Sequence, residues 1–340
     1  MLPFGWGDRW VALLADLRAT DPRLAPGRVV RHDGSAVLVA TGGGPPRHLT
    51  VSSSADPTPV VGDWVAVDAA ASAVVATLPR SSLLRREDPD GGEQALVANL
   101  DMVLVVCGLD RPVKSGRIHR SIALAWDAGA VPAVVLTKTD LSDDVTAEIE
   151  AVAADNPGID ILATSAPTGA GVDDVRSLIQ GRTIVLLGES GAGKSTLANS
   201  LLGEEVAATG RVREGDRRGR HTTSARQLHP LPCGGVMVDS PGLRSVGLWV
   251  DPDAVDATFD DVDAVAARCR FADCGHGNEP GCAVNAAIVD GDLDPERVAV
   301  WAELRWEAES AARRADPRAR RADARRWGRI AREAQQRKQS

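Results

Sequence analysis

A chain of 340 residues is too long for one modest core, and with 44% hydrophobic and 25% charged residues it reads as two or three soluble globular domains. No apolar run reaches the roughly 18 residues of a membrane helix, and Met1-Leu2-Pro3-Phe4-Gly5 carries no signal-peptide pattern, so membrane functions are set aside and a cytoplasmic protein is expected. The net charge of −8 excludes general attraction to polyanions, yet residues 311–340 hold eleven Arg/Lys against three acids, a local +8 that can dock a polyanion at one end.

Residues 1–23 form an extension with one short amphipathic helix, in which Trp10, Leu13, Leu14 and Leu17 share a side. Between 24 and 84, the segments 28–40, 47–51, 62–67 and 74–79 are short, apolar and separated by Gly, Pro and Asp, the punctuation of a small antiparallel β-barrel. Residues 41–46 read as a hairpin loop, and residues 80–94 as the link into the next domain, 85–248. From Asn99 the texture changes. Continuous apolar runs at 102–107, 131–136, 159–163, 183–187 and 236–238 alternate with helical stretches, as strands buried on both faces of a parallel sheet require. Helices at 117–127 and 194–202 stop at Gly129 and Gly203. Residues 249–310 are mostly helical, with Trp301, Leu304, Arg305 and Ala308 at helical spacing, and 311–340 form an Arg-rich tail.

Gly188-Glu189-Ser190-Gly191-Ala192-Gly193-Lys194-Ser195 fits G-x-x-x-x-G-K-S, follows directly on an apolar strand and opens a helix. Its glycines let backbone N–H groups converge on phosphates, Lys194 reaches the β/γ oxygens, and Ser195, with Thr196 beside it, offers a hydroxyl to Mg²⁺. Thr137-Lys138-Thr139-Asp140 ends the 131–136 strand. There Asp140 can accept from both N1–H and the exocyclic amine of guanine, which adenine cannot supply, and Thr164-Ser165-Ala166 offers a backbone N–H for the guanine O6. Asp239-Ser240-Pro241-Gly242 follows the last strand, placing Asp239 to organise Mg²⁺ through a water and Gly242 to meet the γ-phosphate. Thr222 or Thr223 closes over the metal, with Thr223 preferred. No Gln lies between Leu243 and Trp249 to position water, so slow intrinsic hydrolysis is expected. His221 is the nearest candidate to orient water, the alternative being an incidental loop histidine.

These motifs stand in rotated order, base recognition first, phosphate loop second and switch segments last, so everything beyond residue 242 is covalently coupled to the γ-phosphate sensor. A strand–helix–strand crossover from 159 to 187 joins the termini of an unrotated GTPase. Two other readings compete with a GTPase: an RNA-binding scaffold with a vestigial nucleotide site, and a base-indifferent ATP-using P-loop enzyme. Intact Lys194, Ser195 and Asp239 oppose the first, and Asp140 the second.

Cys269, Cys274, His276 and Cys282 give C-x4-C-x-H-x5-C, four soft ligands at a spacing suited to a closed, structural Zn²⁺ site with no open position. Cys107 and Cys233 read as small buried hydrophobes. The tail arginines suit phosphate neutralisation or, alternatively, a solvated helix face.

A rotated GTPase domain preceded by a barrel and followed by this Cys/His cluster resembles the ribosome small-subunit-dependent GTPase A family, from residue 27 to about residue 309. Val61-Gly62-Asp63-Trp64-Val65 and Leu78-Pro79-Arg80 look like its barrel signature, and Asn99-Leu100-Asp101 like its entry to the GTPase domain. The resemblance implies an OB-fold, a circularly permuted P-loop GTPase domain and a zinc domain. It further implies action on the 30S ribosomal subunit and its 16S rRNA late in assembly, with ribosome-stimulated hydrolysis; separately, a monomer is expected. Thr137 departs from the family's usual Asn, whose amide braces the phosphate loop. A threonine hydroxyl keeps one polar contact at shorter reach, so weaker nucleotide affinity with intact guanine selection is expected.

Overall fold

The computed structural model describes residues 4–42, 44–87, 93–204, 226–239, 252–277 and 279–315. The chain divides into two compact units, Met1–Leu84 with Ala95–Val246, and Arg85–Gln94 with Gly247–Ser340.

In the first unit, β1 (Ala25–His32), β2 (Ala36–Ala40), β3 (Arg47–Val51), β4 (Trp64–Asp68) and β5 (Ala73–Thr77) pair in the order β1-β2-β3-β5-β4. Pairing of β4 back onto β1 closes them into a barrel, with β3 and β5 parallel and the other neighbours antiparallel. Alternation sets the two faces of β4. Val65 and Val67 join Val29, Val37, Val39, Leu49 and Val74 inside the barrel, while Trp64 and Ala66 point out yet are still buried. Their cover is α1 (Asp8–Arg18): Trp10 packs on Trp64, and Leu14 on Ala66 and Leu24. The rings of Trp6 and Trp10 lie 4.8 Å and 5.8 Å from that of Trp64, so the extension finishes the barrel's outer face. Asp63, fully buried, accepts from Arg80 Nη2 at 2.8 Å and Val60 N at 2.7 Å, tying the two barrel-signature stretches together.

Residues 80–94 are more than a link. They contribute β6 (Leu83–Glu87) and the start of β7 (Glu93–Ala98), which pair as a two-stranded ribbon. Their charges hid this from sequence reading, since among the described side chains of these strands only Leu84, Leu96, Val97 and Ala98 are buried.

The nucleotide sheet is built from β8 (Met102–Gly108), β9 (Val131–Thr137), β10 (Asp160–Ala163), β11 (Thr183–Gly188), β12 (Gln227–Pro230) and β13 (Val236–Asp239). Its order is β10-β9-β8-β11-β13-β12, parallel except for β12. Between strands run α2 (Ser115–Asp127), α3 (Val145–Asp155), α4 (Val172–Leu178) and α5 (Lys194–Leu202). Met102, Val103, Leu104, Val105 and Val106 are all buried because helices cover both sheet faces. Gly129 and Gly203 end α2 and α5 in left-handed backbone, at φ +75° in each case. β12 was not expected, because Gln-Leu-His-Pro shows one buried apolar residue, Leu228. It also bridges the two sheets, since Arg31 of β1 pairs with Gln227.

From β8 the chain winds outward through β9 to β10, then crosses back by α4 to β11 and proceeds to the other side. Adjacent β8 and β11 therefore form the topological switch point, where a crevice opens at the strands' carboxyl ends.

The second unit contains α6 (Pro252–Thr258), α7 (Asp260–Ala266), α8 (Ala283–Asp290) and α9 (Pro295–Ala315). Trp301, Leu304 and Ala308 form the buried stripe of α9, as their spacing predicts. Arg305 stays half-exposed and pairs with Asp263 at 3.0 Å. Among the described residues, no helix is long and apolar enough to cross a membrane.

Candidate nucleotide site and metal centre

The loop after β11 is shaped by its glycines. A Cβ on Gly188 would meet Val106 O at 2.3 Å, and one on Gly193 would meet Thr137 Oγ1 at 2.9 Å; Gly191 and Gly193 adopt φ of +81° and +90°. Gly193 leads into α5, so the loop's amides and the helix's first N–H groups gather at one positive end. Lys194 Nζ donates to Gly188 O at 2.7 Å and Glu189 O at 2.5 Å, lying across the loop. Glu189 is ion-paired with Arg117 of α2. Ser195 is half-buried in the first turn, beside exposed Thr196.

Thr137 closes β9 and is buried. Its hydroxyl donates to Ala192 O at 2.6 Å, with Cys107 O at 3.3 Å, so the expected brace from a threonine is present. Lys138 takes left-handed backbone, φ +61°, and its ammonium reaches Gly191 O at 2.5 Å. Thr139 and Asp140 fall in a one-turn 3-10 helix, Thr139–Leu141. Ser165 Oγ donates to Asp140 Oδ1 at 2.6 Å, and Thr139 N to Thr164 O at 3.2 Å, which ties the 137–140 and 164–166 loops together. Gly171 lets the loop turn back closely onto the end of β10, because a Cβ there would lie 2.0 Å from Ala163 O. Ala166 is half-buried at the same end of the sheet.

Asp239 ends β13, again at a carboxyl end, opposite Gln227 in register. Burial pushes the His229 imidazole below its usual pKa, against the pull of Asp239. The structure thus brings together residues 137–140, 164–166 and 188–196, with Asp239 on the same edge. His221, Thr222, Thr223 and Gly242 lie outside the described residues.

Sequence reasoning missed Asp110 and Arg111, which follow β8 at the switch point. Asp110 Oδ2 lies 2.8 Å from Lys138 Nζ and 3.1 Å from Arg111 Nη2, and hydrogen bonds from Arg111 and Lys138 hold its carboxyl down at about 2. The signal available was positional: a carboxylate just past the carboxyl end of a fully buried strand.

In the second unit, the ligand atoms of Cys269, Cys274, His276 and Cys282 all lie within 4.8 Å of one another, a set that can hold a metal ion. His276 Nδ1 sits 3.6 Å from Cys269 Sγ and 3.7 Å from Cys282 Sγ. Ala283 N donates to Cys269 Sγ at 3.3 Å and Asn285 N to Cys282 Sγ at 3.4 Å, so the start of α8 favours thiolates. Desolvation opposes ionisation of Cys269, but hydrogen bonds from the Val284 and Ala283 amides and the neighbouring thiols hold its pKa below the ordinary value. Burial lowers that of His276, favouring the neutral ring a metal needs. Cys107 is pushed up to about 11 by burial, a thiol without ligand character.

A G-x-x-x-x-G-K-S loop at the switch point, bonded directly to the Thr137–Asp140 loop that precedes it in the chain, fits the class of circularly permuted P-loop GTPases. The family model for RsgA GTPase matches residues 77–249. The small ribosomal subunit biogenesis GTPase RsgA of Streptomyces avermitilis is 42% identical over 339 residues, covering 97% of this chain and 91% of that protein. The protein of the same name from Xanthomonas axonopodis pv. citri is 46% identical over 258 residues, covering 74% and 70%. The chain belongs to the RsgA GTPase family and hydrolyses GTP. In fold it is similar to YjeQ from Thermotoga maritima, with TM-score 0.63 at 24% identity over 84% of this chain and 98% of that one. It is also similar to YloQ, a circularly permuted GTPase, with TM-score 0.59 at 22% identity over 84% and 96%.

Proposed function

We propose that this GTPase serves biogenesis of the small ribosomal subunit, the role named for its relatives, and that the 30S subunit stimulates its hydrolysis. The observation that carries the reading is the direct bonding of the 137–140 loop to the phosphate loop, Thr137 Oγ1 to Ala192 O and Lys138 Nζ to Gly191 O, which supports taking the two loops as opposite ends of one nucleotide site. Asp140 and the Ser165–Ala166 amides read guanine. Residues 188–196 cradle the phosphates, and Gly242 senses the third. Ser195, Thr223 and Asp239 would hold Mg²⁺, which would supply charge neutralisation to the phosphates. His221 orients the attacking water. The Cys269, Cys274, His276 and Cys282 set holds a structural Zn²⁺. The chain works in the cytoplasm as a monomer whose barrel (24–84), GTPase domain (85–248) and zinc domain (249–310) act together. Its GTP form binds 16S rRNA within the subunit, and hydrolysis releases it.

Turnover of GTP, with ATP as control, measured alone and with purified 30S or 50S subunits, tests this. The expected outcome is slow basal GTP hydrolysis, acceleration by 30S alone and indifference to ATP. Equal rates with and without 30S would reject the ribosomal role.

A further inference from the structure

The loop after β8 supplies a carboxylate to the nucleotide site that neither the motifs nor the proposed contacts use. Asp110 Oδ2 sits 2.8 Å from Lys138 Nζ, while the same ammonium donates to Gly191 O at 2.5 Å. Two of its three donors are thereby committed, one to each side of the crevice. The arrangement is built, not incidental. A Cβ on Gly108 would lie 2.7 Å from Asp110 Oδ1 and 3.4 Å from Lys138 Cε, so glycine at the strand's end leaves the carboxylate room in this placement. Leu109 N donates to Thr137 O at 2.9 Å, fixing this loop's register against β9. The side chains of Lys138 and Asp110 are only 27% and 25% exposed, and Arg111 Nη2 steadies the carboxylate at 3.1 Å. A long, flexible lysine is therefore locked before any ligand arrives.

We propose that Asp110 is a positioning residue for guanine-nucleotide binding: its carboxylate fixes the Lys138 ammonium on the Gly191 carbonyl, preorganises base loop against phosphate loop, and slows nucleotide release. This rests on the reading of those loops as the GTP site. The γ-phosphate is not involved, so retention of GDP and GTP depends on Asp110 alike.

The test is the release rate of a fluorescent methylanthraniloyl-GDP from the full chain, followed by stopped flow. Asp110→Ala is expected to release about five- to tenfold faster than wild type, the size of one charge-assisted contact that is partly screened. Asp110→Asn, which keeps an acceptor without charge, falls between, and Asp110→Glu recovers most of the retention. The decisive arm is a double-mutant cycle with Lys138→Met. If Asp110 acts through Lys138, Asp110→Ala adds nothing in the Lys138→Met background. Independent, multiplicative effects overturn the clamp, as does release from Asp110→Ala within about twofold of wild type. Should Asp110→Ala fail to fold by its urea midpoint, Asp110→Asn decides by the same cycle. Wild-type protein that does not retain the analogue overturns the site reading and the clamp with it, whereas a tight wild type with an unaffected Asp110→Ala overturns the clamp alone.

Discussion

The barrel-and-sheet unit and the helical unit hold their functional residues by different means. In the first, backbone ladders run without a break from β10 through β12 into β1 and around the barrel, and the site hangs on strands whose interiors are buried. In the second, the segment between α7 and α8 carries four side chains that can hold a metal ion, while Trp306 and Val289 remain 65% and 85% exposed. A small apolar core stapled by an ion depends on the ion; a large one does not. The comparison predicts that the first unit keeps its nucleotide affinity when any metal is removed from the second.

The largest expected effect breaks that comparison open. Chelation, or Cys282→Ser, removes a contribution on the order of 10 kcal/mol from the helical unit, and its helical signal is lost at ordinary temperature. Guanine-nucleotide affinity of the first unit changes little. Circular dichroism with and without chelator, paired with nucleotide titration, measures both. The sign of the pH dependence follows from His276, whose pKa is lowered by burial. The unfolded chain takes up a proton near about pH 6.5 while the folded site resists, so stability of this unit is full above that pH and falls as pH drops below it. A unit that keeps its fold through chelation would sink the division into core-held and ion-held halves.

A smaller effect sharpens the other half. Arg28 is 2% exposed, yet its guanidinium donates to Gly62 O, Asn99 O and Thr183 Oγ1 and stacks on Trp64 at 5.0 Å. Desolvation pulls its pKa down to about 10, so it remains charged throughout the physiological range. It bonds the barrel's first strand to the first residue of β11. Arg28→Met fills similar volume but strands those acceptors, and is expected to cost about 2–4 kcal/mol in urea unfolding. No measurable change would mean that the remaining contacts, β1–β12 pairing and Asn99 Nδ2 to Gly62 O among them, join barrel and sheet without Arg28.

Much of this was legible because the chemistry constrains sequence locally. A phosphate loop needs Gly188, Gly191 and Gly193 where backbone approaches backbone, and a closed metal site needs four ligands at short spacing. Strands buried on both faces show as apolar runs, which is why β8, β9 and β11 were plain. What escaped is what depends on distant partners. β12 earns its place by pairing with β13 and Arg31, which nothing in Gln-Leu-His-Pro announces. Asp110 is one acid among many until the fold sets it beside Lys138. The helix of the extension was visible as an amphipathic pattern, but its burial of Trp64 was not.

The smallest expected effect concerns Thr137, where the family pattern carries asparagine. If that amide mattered for reach alone, Thr137→Asn would tighten nucleotide binding substantially. The geometry argues otherwise. The threonine hydroxyl already bonds Ala192 O at 2.6 Å, and it lies where a Cβ on Gly193 would be 2.9 Å away, so the loop is braced and little room remains for a longer side chain. One additional hydrogen bond, offset by crowding, is worth at most about threefold in affinity for GDP. Titration of the fluorescent analogue against wild type and Thr137→Asn measures it. A gain of about tenfold or more would show that the threonine contact leaves the phosphate loop loose, and that the chain traded affinity for faster exchange at this position.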